Sequence, residues 1–215
     1  ALGDAVRETE VIDETTPVIE GREHSVYSRS KGEAEKVVWK YVRNGLNAVI
    51  VCPSVILGPG MWNRSSSRLF AAAARGIPVY PRGMTGYVDV RDVVTLMIRL
   101  AGDGTVRSER FILNGGNHSF RELFTLVAQA YGKRPPCFCL RPWMGEMAWR
   151  FLAVVGWLTG KKPAFTRETA RTSAHRSCYS SAKVMALYPD FRFHALQETV
   201  SYIKNIRDGL CRFSN

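Results

Sequence analysis

The sequence predicts an α/β fold, the end of a doubly wound parallel sheet followed by a smaller, helix-rich part. Three observations carry this. A helix-favouring stretch from Tyr27 to Val42 runs almost directly into the continuous apolar segment Ala48-Val49-Ile50-Val51-Cys52, which suits a strand buried on both faces of a parallel sheet. Short strand-like pieces then alternate with helical ones as far as Leu113. Beyond Pro135-Pro136 the pattern becomes mostly helical.

Taken in order, residues 1 to 25 are polar and irregular, with Thr15-Thr16-Pro17 and Gly21, and read as a loop leading into a helix. In that helix Ala34, Val37, Val38 and Tyr41 recur at helical spacing, and Asn44-Gly45 ends it. The strand that follows stops at Pro53, and Gly58-Pro59-Gly60 makes a turn. A helix over 69–75, strands at Val79-Tyr80 and at Tyr87-Val88-Asp89-Val90, a helix from Asp92 to Leu100 and a strand from Arg110 to Leu113 come next. Ser119 with Glu122 is a capping-box pattern, opening a helix whose Phe120, Leu123, Phe124 and Val127 form one apolar face, closed by Gly132. Cys137 and Cys139 alternate with Phe138 and Leu140, as on a strand. Helices are expected over 143–158, 167–174 and 182–187, and a last one carries Leu196, Val200, Ile203 and Ile206 on one side.

A chain of 215 residues, 46% hydrophobic and 23% charged, can bury a sizeable core and is not expected to be disordered. Its five cysteines lack the paired spacing of a zinc site, so they read as reduced thiols of a cytoplasmic protein, with no metal site. The apolar stretch from Trp143 to Thr159, interrupted by Glu146 and Arg150, is shorter than the ~20 residues of a spanning helix and reads as a packed or surface-lying helix. The net charge of +11 is uneven: residues 133–176 hold nine Lys or Arg against two Glu. Such a segment suits a phosphorylated substrate, cofactor phosphates or an acidic membrane surface, or is simply a solvated basic face. Nucleic acid is not expected, because no binding motif accompanies the charge.

Tyr27 and Lys31 are four residues apart, so on a helix both stand on one face. A free tyrosine is a weak base at neutral pH, and a nearby ammonium favours its phenolate form, which makes proton transfer at a substrate hydroxyl or carbonyl feasible.

Tyr27-Ser28-Arg29-Ser30-Lys31 with Glu33-Ala34-Glu35, then Cys52-Pro53-Ser54-Val55-Ile56-Leu57-Gly58-Pro59-Gly60, then Tyr87-Val88-Asp89-Val90-Arg91-Asp92-Val93, resemble in order and distance three successive motifs of the extended short-chain dehydrogenase/reductases, the NAD-dependent epimerase/dehydratase group. Phe120-Arg121-Glu122-Leu123, Gly132-Lys133-Arg134-Pro135-Pro136 and Leu158-Thr159-Gly160-Lys161-Lys162-Pro163 are similar to the branch with dihydroflavonol reductase-like and 3β-hydroxysteroid dehydrogenase-like proteins. The resemblance implies the carboxy-terminal part of a Rossmann-type sheet with a smaller substrate domain. Residues 1–115 would be an incomplete dinucleotide-binding part with the catalytic helix, interleaved with substrate-domain segments, and 116–215 the mainly substrate-binding part. It implies NAD or NADP as cofactor, Tyr27 as general acid/base, and Lys31 on the nicotinamide ribose. Pro53, Ser54 and Val55 would lie along the nicotinamide, and Asp92 would support the fold, although a helix cap is the simpler reading of that residue.

Two departures narrow the expectation. Cys52 stands where many relatives have arginine, and the family's Ser or Thr partner of the tyrosine would lie upstream of Ala1. No Gly-x-Gly-x-x-Gly or Gly-x-x-Gly-x-x-Gly follows a strand; Gly58-Pro59-Gly60 and the Gly83, Gly86 pair sit at turns that precede no suitable helix. The chain is therefore expected to be an amino-terminally truncated, inactive fragment of an oxidoreductase. A nucleotide-sugar epimerase or dehydratase, and a non-catalytic dinucleotide-binding or scaffold relative, are the alternatives. A small-molecule ketone, alcohol or nucleotide sugar is the expected partner, with peripheral membrane contact and a homodimer left open.

Overall fold

The computed structural model describes residues 11–17, 26–60, 67–141, 143–145, 147, 149–150 and 173–212. The elements are β1 (Val11–Ile12), α1 (Val26–Arg43), β2 (Ile50–Pro53), β3 (Val55–Leu57), α2 (Ser67–Ala74), β4 (Val79–Pro81) and β5 (Met84–Asp89). They continue with α3 (Val90–Gly102), β6 (Arg110–Leu113), β7 (Gly116–Ser119), α4 (Phe120–Ala130), β8 (Phe138–Leu140), β9 (Cys178–Tyr179), α5 (Ala182–Leu187) and α6 (Leu196–Arg212).

Among the described residues, four of the five strand pairings are parallel. β2 runs beside β6 with Ile50 opposite Arg110 and Pro53 opposite Leu113, β3 beside β5, β4 beside β8 and β1 beside β9. Only β7 returns antiparallel, against β5. Parallel neighbours cannot be joined by a tight turn, and here the crossovers contain α2 and α3, which is the α/β arrangement read from the sequence.

Three differences from the sequence reading have local causes. The expected loop over 1 to 25 contains β1, whose Ile12 is buried against Cys52 and Ile112; two residues are too few to show a period. β2 begins at Ile50 and is half-buried at Ile50 and Val51, with only Cys52 fully covered. Gly86 lies inside β5 and not at a turn. A side chain there would collide, since a Cβ would sit 2.3 Å from Asn114 Oδ1 and 2.9 Å from Ser54 Cβ.

The core has two main bodies. One lies between β3, β5, α2, α4 and α6 and contains Leu57, Phe70, Tyr87, Leu123, Val127 and Val200. The other lies between β6, α3 and α5 and contains Val88, Leu96, Phe111, Leu113 and Val184. The α4 face expected from Phe120, Leu123, Phe124 and Val127 is buried throughout. On α6 the expected stripe is buried at Leu196, Val200 and Ile203, while Ile206 is exposed. Residues 143–145, 147, 149 and 150 are helical. The remainder of that expected helix, and residues 167–172 of the next, lie outside the described residues.

Candidate functional site

Tyr27 occupies the first turn of α1 and is 72% exposed. Lys31, one turn on, brings its Nζ 5.7 Å from the centroid of the Tyr27 ring, so the predicted pair does meet on one helix face, in cation–π range. Continuing by fours, Glu35 makes a largely buried ion pair with Arg110 at the start of β6, 3.2 Å, and accepts a hydrogen bond from Trp39 Nε1. The row of side chains that begins with Tyr27 and Lys31 therefore turns toward β6.

Pro53 is the last residue of β2 and Val55 the first of β3. Between them Ser54 is buried, and both of its donors are engaged: the amide donates to Leu113 O at 2.9 Å and the hydroxyl to Asn114 Oδ1 at 2.9 Å. Among the described residues, no hydrogen bond or ring contact joins this group to Tyr27 and Lys31.

Asn114 was not singled out by the sequence. Its Nδ2 donates to Tyr179 O at 2.9 Å and to Asn117 Oδ1 at 3.1 Å. Its backbone exchanges hydrogen bonds with the Ser181 hydroxyl, 2.6 Å from N and 3.0 Å from O. One buried amide thus fastens the carboxyl ends of β2, β6 and β9 together.

Asp92 is buried in the first turn of α3, but the cap of that helix is Asp89, whose carboxylate accepts from the Arg91 amide at 2.8 Å. The capping reading of Asp92 is therefore corrected by three residues, because the helix starts at Val90. Asp92 instead clamps His194, accepting from its amide at 2.9 Å and pairing with its Nδ1 at 2.6 Å. Asp89 is also forked by the Arg91 guanidinium, 2.6 and 3.0 Å away. Burial by itself would raise the Asp89 pKa, but these donors hold it below the usual carboxylate value.

Burial pushes the Cys52 thiol up, as expected for a side chain packed against Ile12 and Ile112. Tyr87, on β5, is also pushed up, by burial first and then by the Glu122 carboxylate; its hydroxyl has no hydrogen-bond partner. It lines a shallow cleft with Asp89, Gly116, His118, His194 and Thr199. Among the described residues no group of His, Cys, Asp and Glu could hold a metal ion.

In open α/β sheets ligands bind in the crevice outside the carboxyl ends of the strands, and that is where Pro53, Ser54 and Asn114 stand. The chain belongs to the NAD-dependent epimerase/dehydratase family, whose model matches residues 3–112. Among solved structures it is similar to gox2253, at 27% identity and a TM-score of 0.68, over 92% of this chain and 60% of that one. It is also similar in fold to a nucleoside-diphosphate-sugar epimerase from Pseudomonas aeruginosa, at 22% identity and a TM-score of 0.69, over 91% of this chain and 60% of that one. A third likeness is to the UDP-glucose 4-epimerase of Thermus thermophilus in its NAD complex, at 22% identity and a TM-score of 0.63, over 93% and 59%. The chain thus spans about 60% of the length of the solved structures it matches. No curated protein matches it.

The residues present fit the nicotinamide and ribose half of such a cofactor. The phenol and the ammonium on α1 are both exposed, and the adjoining strand end is rigidly held. The Ser54 hydroxyl and amide are both bonded within the protein, to Asn114 and Leu113.

Proposed function

We propose that the whole protein is an NAD(P)-dependent oxidoreductase of cytoplasmic location, in which Tyr27 transfers a proton at a substrate carbonyl or hydroxyl oxygen. The observation that carries this reading is the level at which α1 is pinned. Glu35 is tied to Arg110, which stands opposite Ile50. The chain returns from Arg43 to Ile50, so α1 runs against the strands. From Glu35 back to Tyr27 is eight residues of helix, about 12 Å. From Ile50 forward to Ser54 is four residues of strand, about 13 Å. This rise would bring Tyr27 toward the level of the strand ends, with Lys31 about half as far along.

The nicotinamide, when bound, would accept or give the hydride. Tyr27 gives its proton to the substrate oxygen in reduction and takes it back in oxidation. Lys31 stabilises the charge left on the phenol oxygen and donates to the ribose hydroxyls. Pro53 and Val55 orient the carboxamide through their backbone groups, on a strand end that the Ser54–Asn114 bond keeps from shifting. In this reading residues 1–115 supply mainly the dinucleotide-binding side and 116–215 mainly the substrate side. The 215 residues alone, without a glycine-rich phosphate loop, are inactive.

Tyr27→Phe in the whole protein should lower turnover by about 10²- to 10⁴-fold, the usual contribution of a positioned acid or base, with little change in NADPH affinity. The measurement is NADPH consumption with a ketone panel, alongside cofactor titration. Unchanged turnover would remove Tyr27 from the mechanism. Turnover of a nucleotide sugar without net NADPH consumption would favour an epimerase or dehydratase, whose diphosphate the basic 133–176 segment would suit.

A further inference from the structure

The segment joining β8 to the helix that follows exposes large apolar side chains in an unusual setting. Phe138 is 64% exposed, Trp143 60% and Met147 63%. Trp143 and Met147 are four residues apart on a helix, so they share a face. The amides of Met144 and Gly145 both donate to Arg141 O, at 2.9 and 3.1 Å, so that helix starts directly after the end of β8.

The surroundings are basic. Lys133, Arg134, Arg141 and Arg150 are exposed on the same stretch, where Glu146 is the one acidic residue between positions 133 and 150. Arg82 is also exposed and follows Pro81, which pairs with Leu140; the register therefore sets it beside Arg141. Exposed aromatic and thioether side chains with exposed cations along the same stretch of chain match one kind of surface closely. Tryptophan favours the interfacial layer of a bilayer, apolar side chains enter the acyl boundary, and lysine and arginine meet anionic headgroups. A nucleic-acid strand would fit less well, since Met147 offers no stacking plane and no amide or hydroxyl side chain stands among these residues to read a base.

We propose that this face docks on an anionic lipid bilayer, with Phe138, Trp143 and Met147 entering the headgroup layer. Lys133, Arg134 and Arg141 lie against the lipid charges. No helix among the described residues is long and apolar enough to cross a membrane, so the contact is peripheral. The proposal is independent of the chemistry assigned to Tyr27.

The test is flotation of the 215-residue chain with phosphatidylcholine vesicles, with and without phosphatidylserine. Binding is expected only when the anionic lipid is present, and it should fall at high salt. Replacing Lys133 and Arg134 together by glutamine removes two exposed cations and should weaken binding roughly 30-fold. Phe138→Ser with Trp143→Ser should abolish it. Circular dichroism identifies any variant that has lost its fold, and the glutamine pair, being exposed, keeps the test decisive. Failure to float, salt-independent binding, or undiminished binding by both pairs of variants would overturn the proposal. So would a concentration-dependent dimer, or an oligonucleotide complex, abolished by the same substitutions while vesicle binding persists.

Discussion

With Ser54 replaced by alanine, Asn114 Oδ1 would stay buried and lose the donor that now sits 2.9 Å away. An unsatisfied buried acceptor costs about 1–3 kcal/mol, so Ser54→Ala should lower the unfolding free energy by that amount, read as a lower urea midpoint with an unchanged slope. Gly86→Ala acts on the same knot from the other side, placing a methyl 2.3 Å from Asn114 Oδ1 and 2.8 Å from the Tyr179 ring. The amide cannot retreat without releasing Tyr179 O, so a destabilisation of about 1–3 kcal/mol is expected, typical of overpacking. Tyr27 and Lys31 were legible in the sequence because helical geometry alone relates positions four apart. Gly86, Asn114 and Ser54 were not, because strand register decides which residues of β5, β6 and the β2 end become neighbours. Asp92 falls between the two: its buried, structural role was legible, but its partner His194 lies 102 residues away.

Among the elements, the described helices were legible and so were the short strands β4 and β8, whereas β1, β3, β7 and β9 were not. α4 shows why: four apolar residues at helical spacing and a serine cap define it, and Ser119 does accept from the Glu122 amide at 3.1 Å. The capping box is only half made, since the Glu122 carboxylate turns to His118 Nδ1, 2.8 Å away. β3, β7 and β9 are two to four residues long, too short for a period to appear, and exist because neighbours supply their hydrogen bonds. Leu123, on the buried face of α4, fills the space between α2 and α6; Leu123→Ala should cost about 2–5 kcal/mol in denaturant unfolding. The start of α3 gives a pH test. Asp89 has a depressed pKa in the folded protein, so its stabilising contribution is complete above the unfolded value of about 3.9 and disappears as pH falls through the lower folded one. Asp89→Asn should therefore be less stable than the parent near neutrality, and the gap should close below about pH 4, where the parent loses the same charge. A gap that persists unchanged in acid would assign the effect to packing instead of charge.

At the scale of the whole molecule, the dinucleotide crevice of this fold is built from two kinds of part. A glycine-rich turn at a helix amino terminus anchors the pyrophosphate, and strand ends further along receive the nicotinamide. In the function proposed above, the end of β2 and the tyrosine–lysine pair of α1 are of the second kind, and the 215 residues hold no glycine-rich motif of the first kind. Without the turn that anchors the pyrophosphate, the remaining contacts should give little affinity. A ligand held only by the native state raises stability by RT ln(1 + [L]/Kd), about 2.7 kcal/mol at a hundredfold excess over Kd. For a chain of this size each kcal/mol moves the melting temperature by roughly 2–4 °C. NADPH at a hundredfold excess over its Kd would thus raise the melting temperature of the 215-residue chain by roughly 5–11 °C. The expected result is no shift, with NADPH and with NAD alike. A shift of that size, lost again in Lys31→Met, would show that the nicotinamide half of the crevice suffices for binding.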